Sequence, residues 1–434
     1  MSYSVSSSVP RPSSSIFRAP SLRDLAVLAV CLPASTSLLS AQAPIAVDDQ
    51  VVLTDELDQG LHDPLIETDR DGDFTVVWRR QGGDGSASGV FAQRFDADAV
   101  ALGNAFQVNA YTPDRQEATA LEGNGSGQSV VVWESHGESS DRGILGQVYD
   151  SAGQAVGEEL VVSSQTTYHT DGRAAVQDDG SFWVVWHNVP ANALEGRSYD
   201  SSGSPIGEVM ELRSGNVSGP AILPTDEGFL LLWSGGGMGF DNRGILLERF
   251  ASDGSSIGDP MQVNEIVTGR QIRPAVAHAG DGSFAVVWET EDDAVKGRLF
   301  HSDATPKTGE LQLNSSDGYY LDRPRVAANG SGDQFVVVWE NGNYVGADVH
   351  FSVKGQVVDG SGGFVGDELQ INTHTTGYQW QPDVAFVGEQ DFIVVWEDDD
   401  LLSRPAILMR TYELSLFADG FETGNISRWS GSVP

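Results

Sequence analysis

Four aromatic residues, Tyr319, Tyr320, Tyr378 and Trp380, stand beside acids and amides in segments that vary from one part of the chain to the next. Flat rings flanked by hydrogen-bond acceptors can stack on sugars or dock a peptide. Glu134, Glu289, Glu340 and Glu397 each follow a tryptophan in the same phrase. Like charges gathered in that way call for paired arginines or a bridging divalent cation. In Asp69-Arg70-Asp71-Gly72-Asp73, acids alternate ahead of a turn as they do in part of a calcium loop. No Glu follows at the spacing an EF-hand requires, so Asp69, Asp71 and Asp73 are read first as an Asp-Gly hairpin turn and only second as a weak metal site.

Other chemistry finds little support. No His-Glu-x-x-His pair and no phosphate-binding glycine loop occurs, and no hydrolase-type nucleophile turn is expected. The eight histidines are scattered singly, which argues against zinc. Ser139-Ser140-Asp141-Arg142-Gly143 opens like a sialidase Asp-box, but the closing aromatic is missing. With 62 acidic residues, any two could be nominated as a glycosidase pair, so their abundance is no evidence for hydrolysis. No catalytic residue is assigned, and no cofactor is expected unless it is calcium.

The elements that must hold these residues are set by a repeat. Trp78, Trp133, Trp186, Trp233, Trp288, Trp339 and Trp396 each end a short apolar run, and they fall 55, 53, 47, 55, 51 and 57 residues apart. Around Trp288, Pro274–Ala277 reads as a first strand and Asp281-Gly282 as a turn. Phe284–Trp288 reads as a second strand, Val295–Phe300 as a third and Glu310–Asn314 as a fourth. The unbroken apolar run of the second strand requires burial on both faces. A period near 50 residues made of four short strands is the signature of a β-propeller. The first strands are rich in alanine, which suits the crowded innermost position.

Closure follows from counting strands. The seventh unit stops after a third strand, Ile407–Tyr412, whereas Asp49–Thr54 precedes the first unit and reads like a fourth. The sequence therefore predicts an all-β, seven-bladed propeller of four-stranded blades, its ring closed by an N-terminal strand that leaves no open edge in the last blade.

The phrase Asp-Gly, Phe-x-Val-Val-Trp-Glu, Gly-Ile-x-Gly-Gln-x-x-Asp, Val-Gly-x-Glu-x-Gln-Val-Asn covers about residues 49–412 and resembles a repeat common in large exported bacterial proteins. That resemblance implies an extracellular β repeat and brings no catalytic residues with it. His187 and Ser234 stand where four of the units have Glu. Residues 418–434, with Asp419-Gly420-Phe421-Glu422 and Trp429, resemble a short terminal phrase of exported bacterial proteins, either a display tag or a strand packed on the propeller.

Residues 1–43 read as a secretory signal peptide: Arg11, Arg18 and Arg23, an apolar core Leu25–Leu32, then Ala41-Gln42-Ala43. Cys31, the single cysteine, lies within it. Cleavage removes three Arg and one Asp, so a formal charge of −37 becomes −39. Such a charge repels nucleic acid and anionic membranes. No later segment is long and apolar enough to span a bilayer as a helix. The domain plan is thus a signal peptide (1–43), a propeller (44–417) and a tail (418–434). The leading functional reading is a secreted or cell-surface, monomeric, non-enzymatic module binding an extracellular glycan or protein through the loops of one face. A polysaccharide hydrolase or lyase and a purely structural display module stay open. The face carrying Tyr319, Tyr320, Tyr378, Trp380, Glu289, Glu340 and Glu397 is expected to bind a neutral or cationic polymer in a calcium-sensitive way.

Overall fold

In the second strand of the fifth blade, Phe284, Val286 and Trp288 pack against the fourth blade, whereas Ala285 and Val287 pack against the sixth. Each face of the strand meets a different neighbour. That is why the run is apolar throughout instead of alternating. The same division holds around the ring in a computed structural model, which describes residues 44–47, 50–53, 60–136, 141–236, 244–315, 320–345, 348–399, 401 and 404–414. The expected signal peptide, Tyr319 and the C-terminal tail phrase lie outside the described residues.

Seven antiparallel sheets form the seven blades, and the described residues contain strands and turns but no helix. In the first blade the strands are Leu61–Thr68, Phe74–Gln81, Ser88–Phe95 and Phe106–Gln107, in that spatial order. The last blade takes three strands from the C-terminal end, Gln379–Val387, Asp391–Asp398 and Ala406–Glu413. Its outer edge comes from the N-terminus, with Val51, Val52 and Leu53 opposite Met409, Leu408 and Ile407, and Ala46 opposite Tyr412. Leu53 enters the core between the seventh and first blades beside Ile407 and Met409, so the ring closes as the sequence predicts.

Seven hydrophobic clusters each span two neighbouring blades. All seven repeat tryptophans are buried, none more than 3% exposed. Phe284 stacks on Phe300, Phe229 on Phe250, Phe74 on Phe95 and Phe392 on Tyr412, each at 5.0 Å, locking the second strand to the third. The recurrent Gln-x-Asn phrase also has a structural cause. Asn109, Asn264, Asn314 and Asn372 are buried and accept the backbone N–H of Val90, Ile245, Val295 and Val353 at 2.8–3.0 Å, so each fourth strand clips the start of its third.

One blade departs from the expected outline. The segment from Glu340 to Val349 is largely paired: Gln334–Val345 and Asp348–Asp359 form a hairpin of 12-residue strands. The extension carries Phe351, and Gly342 opposite it leaves room for the ring. A Cβ at Gly342 would lie 2.7 Å from the Phe351 side chain.

Candidate functional site

Strand reversal places the residues after each tryptophan and those opening each first strand at one end of every blade. Glu289 pairs with Ile272, Glu340 with Asp322 and Glu397 with Trp380, while the Asp-Gly turn at Asp281 lies at the far end, beyond the His278–Phe284 pair. Tyr320, opposite Gly342, and Tyr378, just before Gln379, belong to the same face as the three glutamates.

The glutamates lie beneath that face. Glu134, Glu289, Glu340 and Glu397 are buried, and all but Glu289 accept a backbone N–H from the first strand of the following blade. Asp171 donates to Glu134 at 2.9 Å, Gln381 to Glu340 at 2.7 Å and Asp63 to Glu397 at 3.2 Å, whereas the Arg323 N–H donates to Asp322 at 2.8 Å. These four donors sit at β-bulges and have positive φ: 57° at Asp171, 51° at Gln381, 54° at Asp63 and 51° at Arg323. Holding a non-glycine residue there costs on the order of 1 kcal/mol, which a charge-assisted hydrogen bond offsets. The Glu of the repeat is thus a latch between blades. Where it is replaced, the latch changes: Ser234 donates to the Gln271 carbonyl at 2.8 Å, and the bulge facing His187 carries Gly219. Burial raises the Glu289 and Glu340 carboxyls above their usual range, against the pull of Arg273 and Arg323.

The latched residues ring the mouth of the central channel, a cavity of about 350 Å³. Five of the seven bulges continue into proline, at Pro64, Pro220, Pro274, Pro324 and Pro382. Charges of both signs line the mouth, with Arg142 and Arg173 among the acids of the second and third blades. Asp63, Glu117 and Asp171 line the mouth from the first three blades, and Arg273, Arg323 and Gln381 line it from the last three. This ring went unread in the sequence, although the recurrence of proline three or four residues after the start of the first strands would have marked it.

Below the mouth the channel opens to about 450 Å³, walled by the alanines of the first strands. Glu67, Glu122 and Asp383 face one another across it with Arg173 and Arg325. Burial, then Asp383, pushes Glu122 up to about 8 despite the two arginines, and burial likewise raises Glu67 and Asp383. A carboxyl raised in the folded state favours folding in its protonated form, so this contribution is full below about 4.5 and is lost as pH rises toward 8. Glu122→Gln is therefore expected to raise the melting temperature at pH 8, by about 2–4 °C for each kcal/mol relieved, and to leave it unchanged at pH 5. Equal effects at both pH values in circular-dichroism melts would contradict this.

At the rim, the last two blades assemble an aromatic patch. Tyr378 stacks on Trp380 at 5.4 Å, and Phe351 joins both, 5.5 Å from Tyr378 and 6.0 Å from Trp380, with Tyr320 edge-on at 5.7 Å. Tyr320 and Tyr378 are each 36% exposed, whereas Phe351 is buried as their support. Nε1 of Trp380 is buried and has no acceptor among the described residues. Tyr320, Tyr378 and Trp380 were legible as candidates. Phe351 was not, since only the longer spacing of its unit hinted at an extended hairpin.

Two acidic groups bear on cation binding. The Asp69 carboxylate accepts the amides of Asp71 and Asp73 at 3.0 and 3.1 Å, closing the hairpin turn at the face opposite the aromatic patch. Glu117, Glu134 and His136 bring potential ligand atoms within 4.8 Å of one another. There Arg115 holds Glu117 at 2.6 Å and Arg142 holds Glu134 at 2.8 Å, supplying the positive charge a metal would bring.

A Gly-x-Ser-x-Gly sequence does occur, against expectation: Gly254-Ser255-Ser256-Ile257-Gly258. It lies in the turn into the strand Ser256–Gln262, not between a strand and a helix, and Ser256 Oγ donates to Glu248 and to the Gly258 carbonyl instead of to a histidine.

Neither a protein-family model nor a curated protein sequence matches this chain. Among solved structures, it is similar to a protein of unknown function from Dyadobacter fermentans DSM 18053, with a TM-score of 0.52 and 9% identity over 86% of this chain and 99% of that one. The β-propeller domain of the Trilobed protease from Pyrococcus furiosus matches with a TM-score of 0.47 and 10% identity, over 85% of this chain and all of that one. These likenesses concern the fold, a β-propeller.

Proposed function

We propose that this chain is an exported, non-enzymatic β-propeller that binds an extracellular polymer, foremost a glycan, on the face bearing Tyr320, Tyr378 and Trp380. The observation that carries the reading is the aromatic patch itself. Two stacked, partly exposed rings backed by a buried phenylalanine form a rigid platform. Variable loops on a rigid scaffold are where such contacts usually lie. The glutamates on this face support the platform by latching its blades together.

Hydrolysis is the second reading, favoured by one observation: Glu122, near 8, is a carboxyl protonated at neutral pH as a general acid must be. It sits inside the channel wall and not at the rim, so it serves only a substrate that enters the mouth. A glycan and protein binding array probed with the mature chain, with and without calcium, followed by hydrolysis assays on every hit, separates the readings. Retention of a glycan without turnover is expected. Turnover abolished by Glu122→Gln would establish the second reading, and an array with no hit would favour a display module.

A further inference from the structure

We infer that the channel mouth binds the carboxylate of an acidic sugar belonging to the same glycan whose rings lie on Tyr378 and Trp380; the inference rests on the glycan reading proposed above. The chain carries a formal charge of −37, yet Arg273, Arg323 and Arg325 are brought to one mouth by two adjacent blades. Arg273 is committed to Glu289 and Asp322. Arg323 and Arg325 are held more loosely. The carboxylate oxygens nearest to them belong to Glu340, at 3.5 Å, and Asp383, at 3.8 Å, both longer than the ~2.7–2.9 Å of a charge-assisted hydrogen bond. Two guanidinium groups flanking Pro324 therefore keep donors for the cavity, and the planar fork of an arginine matches a carboxylate.

The mouth and the aromatic patch are built from the same strands. Tyr320–Ala328 carries Tyr320 at the rim and Arg323 at the mouth, and Gln379–Val387 carries Trp380 at the rim and Gln381 beside the mouth. One oligosaccharide can span both. On the opposite wall Asp171 offers an acceptor for hydroxyl groups, whereas Asp63 is paired with Arg79 at 2.6 Å. The site thus fits an isolated carboxylate among hydroxyls and not a dense polyanion, which the overall charge opposes. A sugar meets these demands together with the ring platform; a peptide carboxyl terminus offers no hydroxyls for Asp171.

The test is calorimetry of the mature chain with a neutral trisaccharide capped by one glucuronate, and with the methyl ester of the same compound. The acid is expected to bind about tenfold more tightly than the ester, as one charged hydrogen-bonded contact allows, and added salt should weaken the acid alone. Arg323→Gln should erase the difference and leave ester binding unchanged. The variant should fold, because Gln381 holds the same left-handed position in the next blade, with φ 51° at both. Equal binding of acid and ester, or an Arg323→Gln protein that still prefers the acid, overturns the carboxylate site. If both compounds bind equally and both are lost with Trp380→Ala, the glycan face stands while the carboxylate assignment falls. If neither binds, the assignment falls and the array described above decides the glycan reading on its own.

Discussion

A chain of residues 58–434 is expected to melt roughly 5–10 °C below one of residues 44–434, the effect of losing several kcal/mol in a domain of this size. The deletion removes Val51, Val52 and Leu53 from the outer edge of the last blade and exposes the ladder of Ala406–Glu413. It also withdraws Leu53, 7% exposed, from the cluster that joins the seventh blade to the first. An open strand edge is also a template for pairing with another chain, so the truncated protein should aggregate more readily on heating. An unchanged melting curve, followed by circular dichroism and light scattering together, would show that the ring does not depend on its N-terminal strand.

Trp288→Ala should cost about 3–5 kcal/mol in urea titration, the range for truncating a large buried aromatic. Trp288 is fully buried between the fourth and fifth blades, and its Nε1 donates to Gln271 Oε1 at 2.9 Å. Gln271 is only 2% exposed, so the substitution also strands a buried acceptor. A paired comparison isolates that second part. Trp396 is equally buried, but its Nε1 has no partner among the described residues. Trp288→Phe is therefore expected to cost about 1–2 kcal/mol more than Trp396→Phe. A loss below about 1 kcal/mol for Trp288→Ala would mean that the residue is not a core residue at all.

These structural expectations were legible because they repeat. Seven tryptophans in one phrase fixed the blade count, and a strand missing at one end beside a strand to spare at the other fixed the closure. The shared face of Trp380 and Glu397 followed from strand reversal alone. What stayed hidden depends on contacts between distant parts of the chain. That a Glu follows the tryptophan was plain, but its acceptance of an amide 41 residues on, as from Glu340 to Gln381, or across the closure from Glu397 to Asp63, is a property of neighbouring blades. The same holds for Phe351, which reaches Tyr378 and Trp380 only because a longer hairpin projects it over the next blade. The bulged, left-handed residues before proline run against the usual preference of that position for extended backbone, so local rules pointed away from them.

The most direct test of the proposed working face compares Trp380→Ala and Tyr320→Ala with Asp281→Ala, measuring retention on an immobilised glycan from the array at fixed salt. Trp380 and Tyr320 belong to the aromatic patch, whereas Asp281 closes a hairpin turn at the opposite end of its blade. Loss of one stacking ring should weaken binding by about 1–3 kcal/mol, on the scale of aromatic contacts and truncations at interfaces, with the melting temperature little changed. The Asp281 variant should be retained like the unmodified chain. Equal weakening by all three substitutions, or full retention by Trp380→Ala, would contradict binding at this face.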